Sequence, residues 1–131
     1  MSSFRFENVL LIDDNEIDNF INKKLIEKAG FSKTIDECKS GSDALEYLNS
    51  KFITNEKLPD LIFLDIMMPV MDGFEFLENY DKLDYKIKSN TRIIMLSSTE
   101  SFKDLNRANS SKYVYKFLNK PLTEPVLIAI Q

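Results

Sequence analysis

Three short apolar runs each stop at a polar residue: Val9 to Ile12 before Asp13, Leu61 to Leu64 before Asp65, and Ile93 to Leu96 before Ser97. A run of four with no alternation reads as a strand buried on both faces, which is what a parallel sheet covered by helices requires. The stretch from Asp60 to Gly73, DLIFLDIMMPVMDG, is the most constrained. It delivers one carboxylate, Asp65, at the end of its run, then a loop with Pro69, a turn at Asp72-Gly73 and an amphipathic pattern from Phe74. Open α/β sheets place their chemistry at the carboxyl ends of the strands, so Asp65 leads the candidate residues.

The rest of the chain repeats this alternation. After the first run, Ile17, Phe20, Ile21 and Leu25 recur at helical spacing, and Gly30 ends the pattern as a C′ residue. Thr34 to Cys38 is a strand of mixed polarity suited to a sheet edge, and Gly41-Ser42 opens a helix with Leu45, Leu48 and Phe52 on one face. Residues 53–59 and 84–91 read as polar connections around the helix that starts at Phe74. Ser101 and Asp104 resemble a capping box, which predicts a helix with Phe102 and Leu105 facing inward. Tyr113 to Phe117 is the last strand, and Thr123 caps a final short helix that tolerates Pro125 in its first turn. Strand followed by helix, five times over, implies a parallel five-stranded sheet with helices on both faces. In such a sheet Asp13, Asp14, Asp65, Ser97 and Lys120 all follow strands and converge on one edge.

Composition narrows the chemistry. At 131 residues the chain is read as one domain, 1–131 with a core from about residue 8 and no output domain. Its 17 basic and 21 acidic residues leave a formal charge of −4, which argues against a general nucleic-acid surface. Histidine is absent, so neither a histidine base nor a histidine-ligated metal is possible. The single cysteine, Cys38, cannot form an internal disulfide, and no segment approaches the ~20 apolar residues of a membrane span. The expectation is a cytoplasmic protein that does not engage a membrane. Three carboxylates at one edge suit a hard cation such as Mg²⁺, with a lysine and a hydroxyl for phosphate oxygens. The chemistry that fits is Mg²⁺-assisted phosphoryl transfer onto an aspartate.

These motifs carry a resemblance. LIDDNE, LIFLDIMMPVMDG, IIMLSS and FLNKP occur in the order and spacing of the receiver domain of bacterial two-component response regulators, from about Asn8 to Val126. The resemblance implies a flavodoxin-like (βα)5 three-layer α/β sandwich with strand order 2-1-3-4-5. It implies that Asp65 accepts a phosphoryl group from a phosphohistidine of a sensor histidine kinase or a histidine phosphotransfer protein. Asp14 and Asp65 would ligate Mg²⁺ directly, with the Met67 backbone carbonyl, and Asp13 through water. Lys120 would contact the phosphoryl group, Ser97 would be drawn toward it, and Phe117 would turn inward as the switch aromatic. Lys120-Pro121 matches a bond that is cis in the family. A downstream protein would read the fourth helix, fifth strand and fifth helix, here the elements around Phe102, Tyr113 and Thr123.

Other readings stand beside these. Asp13, Asp14 and Asn15 are all helix-capping types, Asp65 can be a buried partner of Lys120, and Phe117 can be core packing. Tyr113 and Tyr115 mark either a partner surface or ordinary edge-strand residues. Met67, Met68, Met71 and Met95 read as packing residues. The alternative function is a Mg²⁺-dependent phosphatase or phosphotransferase with an aspartate nucleophile. That class carries a second aspartate two residues on, where this chain has Met67. A calcium-sensing loop lacks the glycine and spaced ligands it needs near Asp13.

Overall fold

The computed structural model describes residues 4–99 and 101–130. Five strands, β1 (Phe6–Ile12), β2 (Ser32–Cys38), β3 (Leu61–Asp65), β4 (Arg92–Ser97) and β5 (Val114–Asn119), form one sheet in the order β2-β1-β3-β4-β5. Every pairing is parallel, with Leu10 opposite Ile62, Ile62 opposite Ile93 and Met95 opposite Phe117. The helices are α1 (Glu16–Lys28), α2 (Gly41–Ile53), α3 (Gly73–Tyr80), α4 (Tyr85–Lys88), α5 (Phe102–Asn109) and α6 (Glu124–Ala129). This is the expected flavodoxin-like α/β fold.

The sheet divides the core in two, which explains why the strand runs do not alternate. Leu10, Ile12, Ile62, Leu64, Ile93 and Met95 face α2, α3, α4 and Ala108 of α5. Val9, Leu11, Leu61, Phe63, Ile94 and Leu96 face Ile26 of α1 and Leu122, Leu127 and Ile130 around α6. Alternate residues enter opposite layers, and both layers are apolar. The outer strand β2 carries the most polar residues of the five.

The opposite end of the sheet from the candidate residues is tied by Asp60. Its two carboxylate oxygens accept the backbone N–H groups of Glu7 and Asn8 at 3.0 Å each. Its own N–H donates to the Asn8 carbonyl at 3.0 Å, and its carbonyl accepts the Arg92 N–H at 3.1 Å. One residue thus joins the amino ends of β1, β3 and β4.

Several sequence expectations change, among them Met67, read as packing but exposed, and the last strand, which runs Val114–Asn119. Residues 84–91 are not a plain connection: Asp84 caps the single turn α4, which buries Ile87. Ile17, Phe20 and Ile21 do not face the sheet; they are 69%, 60% and 53% exposed, and α1 turns Asn19, Asn22 and Ile26 inward instead. The Asn19 amide donates to the Asp13 carbonyl at 3.0 Å, so the short β1–α1 loop sets the helix's rotation. Phe102 is likewise outward, 85% exposed, and only Ala108 of α5 is buried. Tyr113, just before β5, packs edge-on to Tyr80 with ring centroids 5.2 Å apart, and Tyr115 is exposed. Gly30 sits just past α1 at φ +62°, as a C′ glycine should. Among the described residues no helix is long and apolar enough to cross a membrane.

Candidate functional site

The strand ladders continue one residue beyond the strands and thereby position the site. The Asp13 N–H donates to the Cys38 carbonyl at 3.1 Å, the Ile66 N–H to Leu96 at 3.1 Å, and the Lys120 N–H to Ser97 at 2.8 Å. Asp13, Asp65 and Lys120 are therefore held by backbone register at one edge, as parallel connection requires. Asp13 and Asp65 are each 3% exposed, and Asp14 is exposed. One carboxylate oxygen from each of Asp13, Asp14 and Asp65 lies within 4.8 Å of the others.

Lys120 supplies the counter-charge. Its ammonium lies 2.7 Å from Asp13, 2.9 Å from Asp18 and 3.2 Å from Asp65. Burial works against the charged lysine, but hydrogen bonds to Asp13 and Asp18 and the charge of Asp65 outweigh it and hold its pKa above the ordinary value. Burial, reinforced by the charge of Asp13, pushes Asp65 up to about 6 against the pull of Lys120. Asp65 is thus ionised at neutral pH, its charge disfavoured by burial and by Asp13 and offset in part by Lys120. The Lys120-Pro121 bond is cis.

Capping and acid-cluster readings divide between neighbours. Asn15 is the N-cap of α1, its side chain accepting the N–H groups of Ile17 and Asp18 at 2.9 and 3.1 Å. Asp13 accepts the Asn15 N–H at 3.0 Å with one oxygen and the lysine with the other. The Asp65–Lys120 ion pair exists too, so the bland reading of Asp65 describes part of the site.

Gly73 brings the start of α3 against the strand end. A Cβ built there lies 2.9 Å from the Asp65 carbonyl oxygen and 2.9 Å from Ile66 Cα, closer than any side chain tolerates. Asp72 and Glu75 close a full capping box on that helix. The loop between carries Met67 with an exposed side chain, and Val70 at φ +68°.

Ser97 ends the strand next to β3, Phe117 lies on β5, and both side chains are engaged elsewhere. The Ser97 hydroxyl donates to the Thr99 carbonyl at 2.6 Å and accepts the Thr99 N–H at 3.2 Å. Half-buried Phe117 packs on the α2/α3 core layer and lines a cavity of roughly 330 Å³ with Ser101, Phe102, Leu105 and Asn119. Asp18 was missed in the sequence. No motif or spacing in the sequence ties a first-helix residue such as Asp18 to Lys120.

A family model for the response regulator receiver domain matches residues 9–130. The chain belongs to the response regulator receiver family. Chemotaxis protein CheY of Halobacterium salinarum is 30% identical over 118 residues, which is 88% of each chain. A probable methanogenesis regulatory protein of Methanothrix harundinacea is 30% identical over 115 residues, covering 88% of this receiver and 72% of its relative. A histidine kinase of Arabidopsis thaliana matches at 31% identity over 92% of this receiver but only 11% of its own length. Among solved structures, a two-component response regulator from Cytophaga hutchinsonii superposes with a TM-score of 0.88 at 31% identity. That likeness covers 95% of this receiver and 92% of the solved chain. Receivers of this family bind Mg²⁺ at an acidic cluster. Here the donor set is oxygen-only, two of its carboxylates are buried, and its atoms lie close enough together for a small hard cation, so the residues fit.

Proposed function

We propose that this receiver accepts a phosphoryl group on Asp65 from a phosphohistidine of a sensor kinase or histidine phosphotransfer protein, and then binds a downstream protein differently. The observation that carries the reading is the buried Asp65 carboxylate at the end of β3, facing both an acid pair and the Lys120 ammonium. Asp14, Asp65 and the Met67 carbonyl would hold Mg²⁺ directly and Asp13 through water. Bound there, the cation neutralises charge on the transferring phosphoryl oxygens.

The chain's own residues then have distinct tasks. An Asp65 oxygen attacks phosphorus, the P–N bond of the donor breaks, and its electron pair returns to the imidazole, which takes up a proton from solvent. A folded-state pKa of about 6 keeps that oxygen deprotonated at neutral pH. Lys120 turns an N–H toward the new phosphoryl group. Ser97 exchanges its hydrogen bond to the Thr99 carbonyl for one to a phosphoryl oxygen, and Phe117 repacks at the adjoining cavity. Each new hydrogen bond to a charged group contributes about 1.5–3 kcal/mol. A swing from 1:99 to 99:1 needs about 5.5 kcal/mol, so the two bonds support a graded population shift.

Two surfaces suit the two partners. The exposed Ile17, Phe20 and Ile21 lie on the helix that begins at the acids, where a phosphohistidine donor must approach. The downstream face combines α5, β5 and α6, next to Ser97 and Phe117. We read residues 1–131 as one receiver unit acting in the cytoplasm through protein contacts, with a charge of −4 that offers nucleic acid no basic face. Met67 leaves no acid two residues after Asp65, which favours a phosphoacceptor over a turning-over phosphatase.

The test is intact-protein mass after incubation with an acyl phosphate, with and without Mg²⁺, on wild type and Asp65→Asn. An adduct that requires both Mg²⁺ and Asp65 supports the reading; no adduct on wild type overturns it. Transfer from a phosphohistidine protein, but not from the acyl phosphate, should fall with Phe20→Ser.

A further inference from the structure

Lys120 has three N–H donors, and one of its carboxylate partners stands outside the acid cluster. Asp18, on the first turn of α1, is 2.9 Å from the ammonium, closer than Asp65 at 3.2 Å. Its side chain is far more exposed than those of Asp13 and Asp65 and is no member of the candidate cation group. A cation on Asp13, Asp14 and Asp65 competes with Lys120 for the same oxygens. A phosphoryl group on Asp65 competes with Asp18 for the same ammonium. Among the Lys120 partners described, Asp18 is the one outside the cation group, so it bears on both equilibria through one side chain.

We propose that Asp18 is a positioning residue for Lys120: it receives the ammonium when a divalent cation binds and withholds it in part from the phosphoryl group. The inference rests on the functional reading above. With the carboxylate at 18, Lys120 has somewhere to go when Asp13 and Asp65 turn to the cation, so cation binding is favoured. For the same reason the phosphoryl group must share the lysine, so it is held less tightly. Removing the charge at 18 should move the two affinities in opposite directions, which mere loss of packing does not do.

The experiment uses Asp18→Asn, with Mg²⁺ and beryllium fluoride (a non-covalent phosphoryl mimic) as probes, followed by calorimetry and amide NMR. Asp18→Asn should weaken Mg²⁺ binding and, at saturating Mg²⁺, tighten beryllium fluoride binding, each by about two- to fivefold, the range of a partly exposed ion pair. A general charge effect predicts the same signs, so the decisive arms are two. Glu16→Gln, an exposed acid on the same turn paired with Lys39, should shift neither constant by as much. In a Lys120→Gln background, Asp18→Asn should change Mg²⁺ affinity no more than Glu16→Gln does. Asp18→Glu, which keeps the charge, should stay closer to wild type than Asp18→Asn. Shifts in the same direction, no shifts, or an Asp18 effect that survives loss of Lys120 overturn the proposal. Wild type that binds neither probe overturns the functional reading as well; wild type that binds both confines any failure to Asp18.

Discussion

Asp65→Asn removes a buried charge from a place where burial and a neighbouring acid both disfavour it. The native carboxyl has a pKa of about 6 against an ordinary value of 3.8. A carboxyl whose pKa is raised by folding binds its proton more tightly in the folded state, so its ionised form costs stability. That cost is complete above about pH 6, shrinks as the pH falls through the folded pKa, and is gone below the unfolded one. A shift of about two units at 1.36 kcal/mol each sets the cost at roughly 3 kcal/mol at about pH 7.5, falling to roughly 1 kcal/mol at about pH 4.5. The amide is nearly isosteric, and Lys120 keeps Asp13 and Asp18 as partners. In chelator-treated protein the variant should therefore exceed wild type by about 2–3 kcal/mol at neutral pH, or roughly 6–9 °C in Tm. Urea unfolding of both proteins across pH 4.5 to 7.5 measures this directly. A variant no more stable than wild type at neutral pH would show that Lys120 already neutralises Asp65. A gain that does not vary with pH would show that its source is not the charge. Saturating Mg²⁺ should narrow the gap, because the cation stabilises wild type by RT ln(1 + [Mg²⁺]/Kd) and the asparagine variant by less.

Asn15→Ala should cost about 1 kcal/mol in urea unfolding through loss of the α1 cap, while Mg²⁺ affinity stays near wild type. A comparable loss of Mg²⁺ affinity would place Asn15 among the ligands. Gly73→Ala drives a methyl group into the Asp65–Ile66 backbone; it should destabilise the fold by about 1–3 kcal/mol and reduce Mg²⁺ binding, both readable by thermal shift. Val70→Gly relieves a β-branched residue at positive φ and should raise stability by about 1 kcal/mol, which the same thermal assay detects.

The sequence made the sheet legible because its three central strands are buried on both faces and so read as four apolar residues in a row before a polar one. Strand order came only with the family resemblance, since hydrophobic runs do not name their neighbours. The acid edge followed from parallel connection: Asp13, Asp14, Asp65 and Lys120 meet where the alternation places them. The rotation of α1 was not legible, because a buried amide, Asn19, anchors it to the β1 loop and three large apolar residues are left outside. Phe102 misled for a related reason: α5 rests on the small Ala108, which carries little weight in a hydrophobic count. The single turn α4 is too short to show a period at all. Asp18 escaped because nothing in a one-dimensional reading brings a residue of the first helix to a lysine that follows the last strand.

The knot of hydrogen bonds at Asp60 has a mechanical consequence. It joins three strands at the end of the sheet remote from the acids, where four polar contacts resist any sliding of one strand past another. The sheet is therefore a lever fixed at its foot. A change at the carboxyl edge should therefore displace the loops there, toward α1 on one side and α5 on the other, rather than slide the strands. A probe attached near Asp60 should be a stationary reference, and one near Thr99 or Asn119 should move against it.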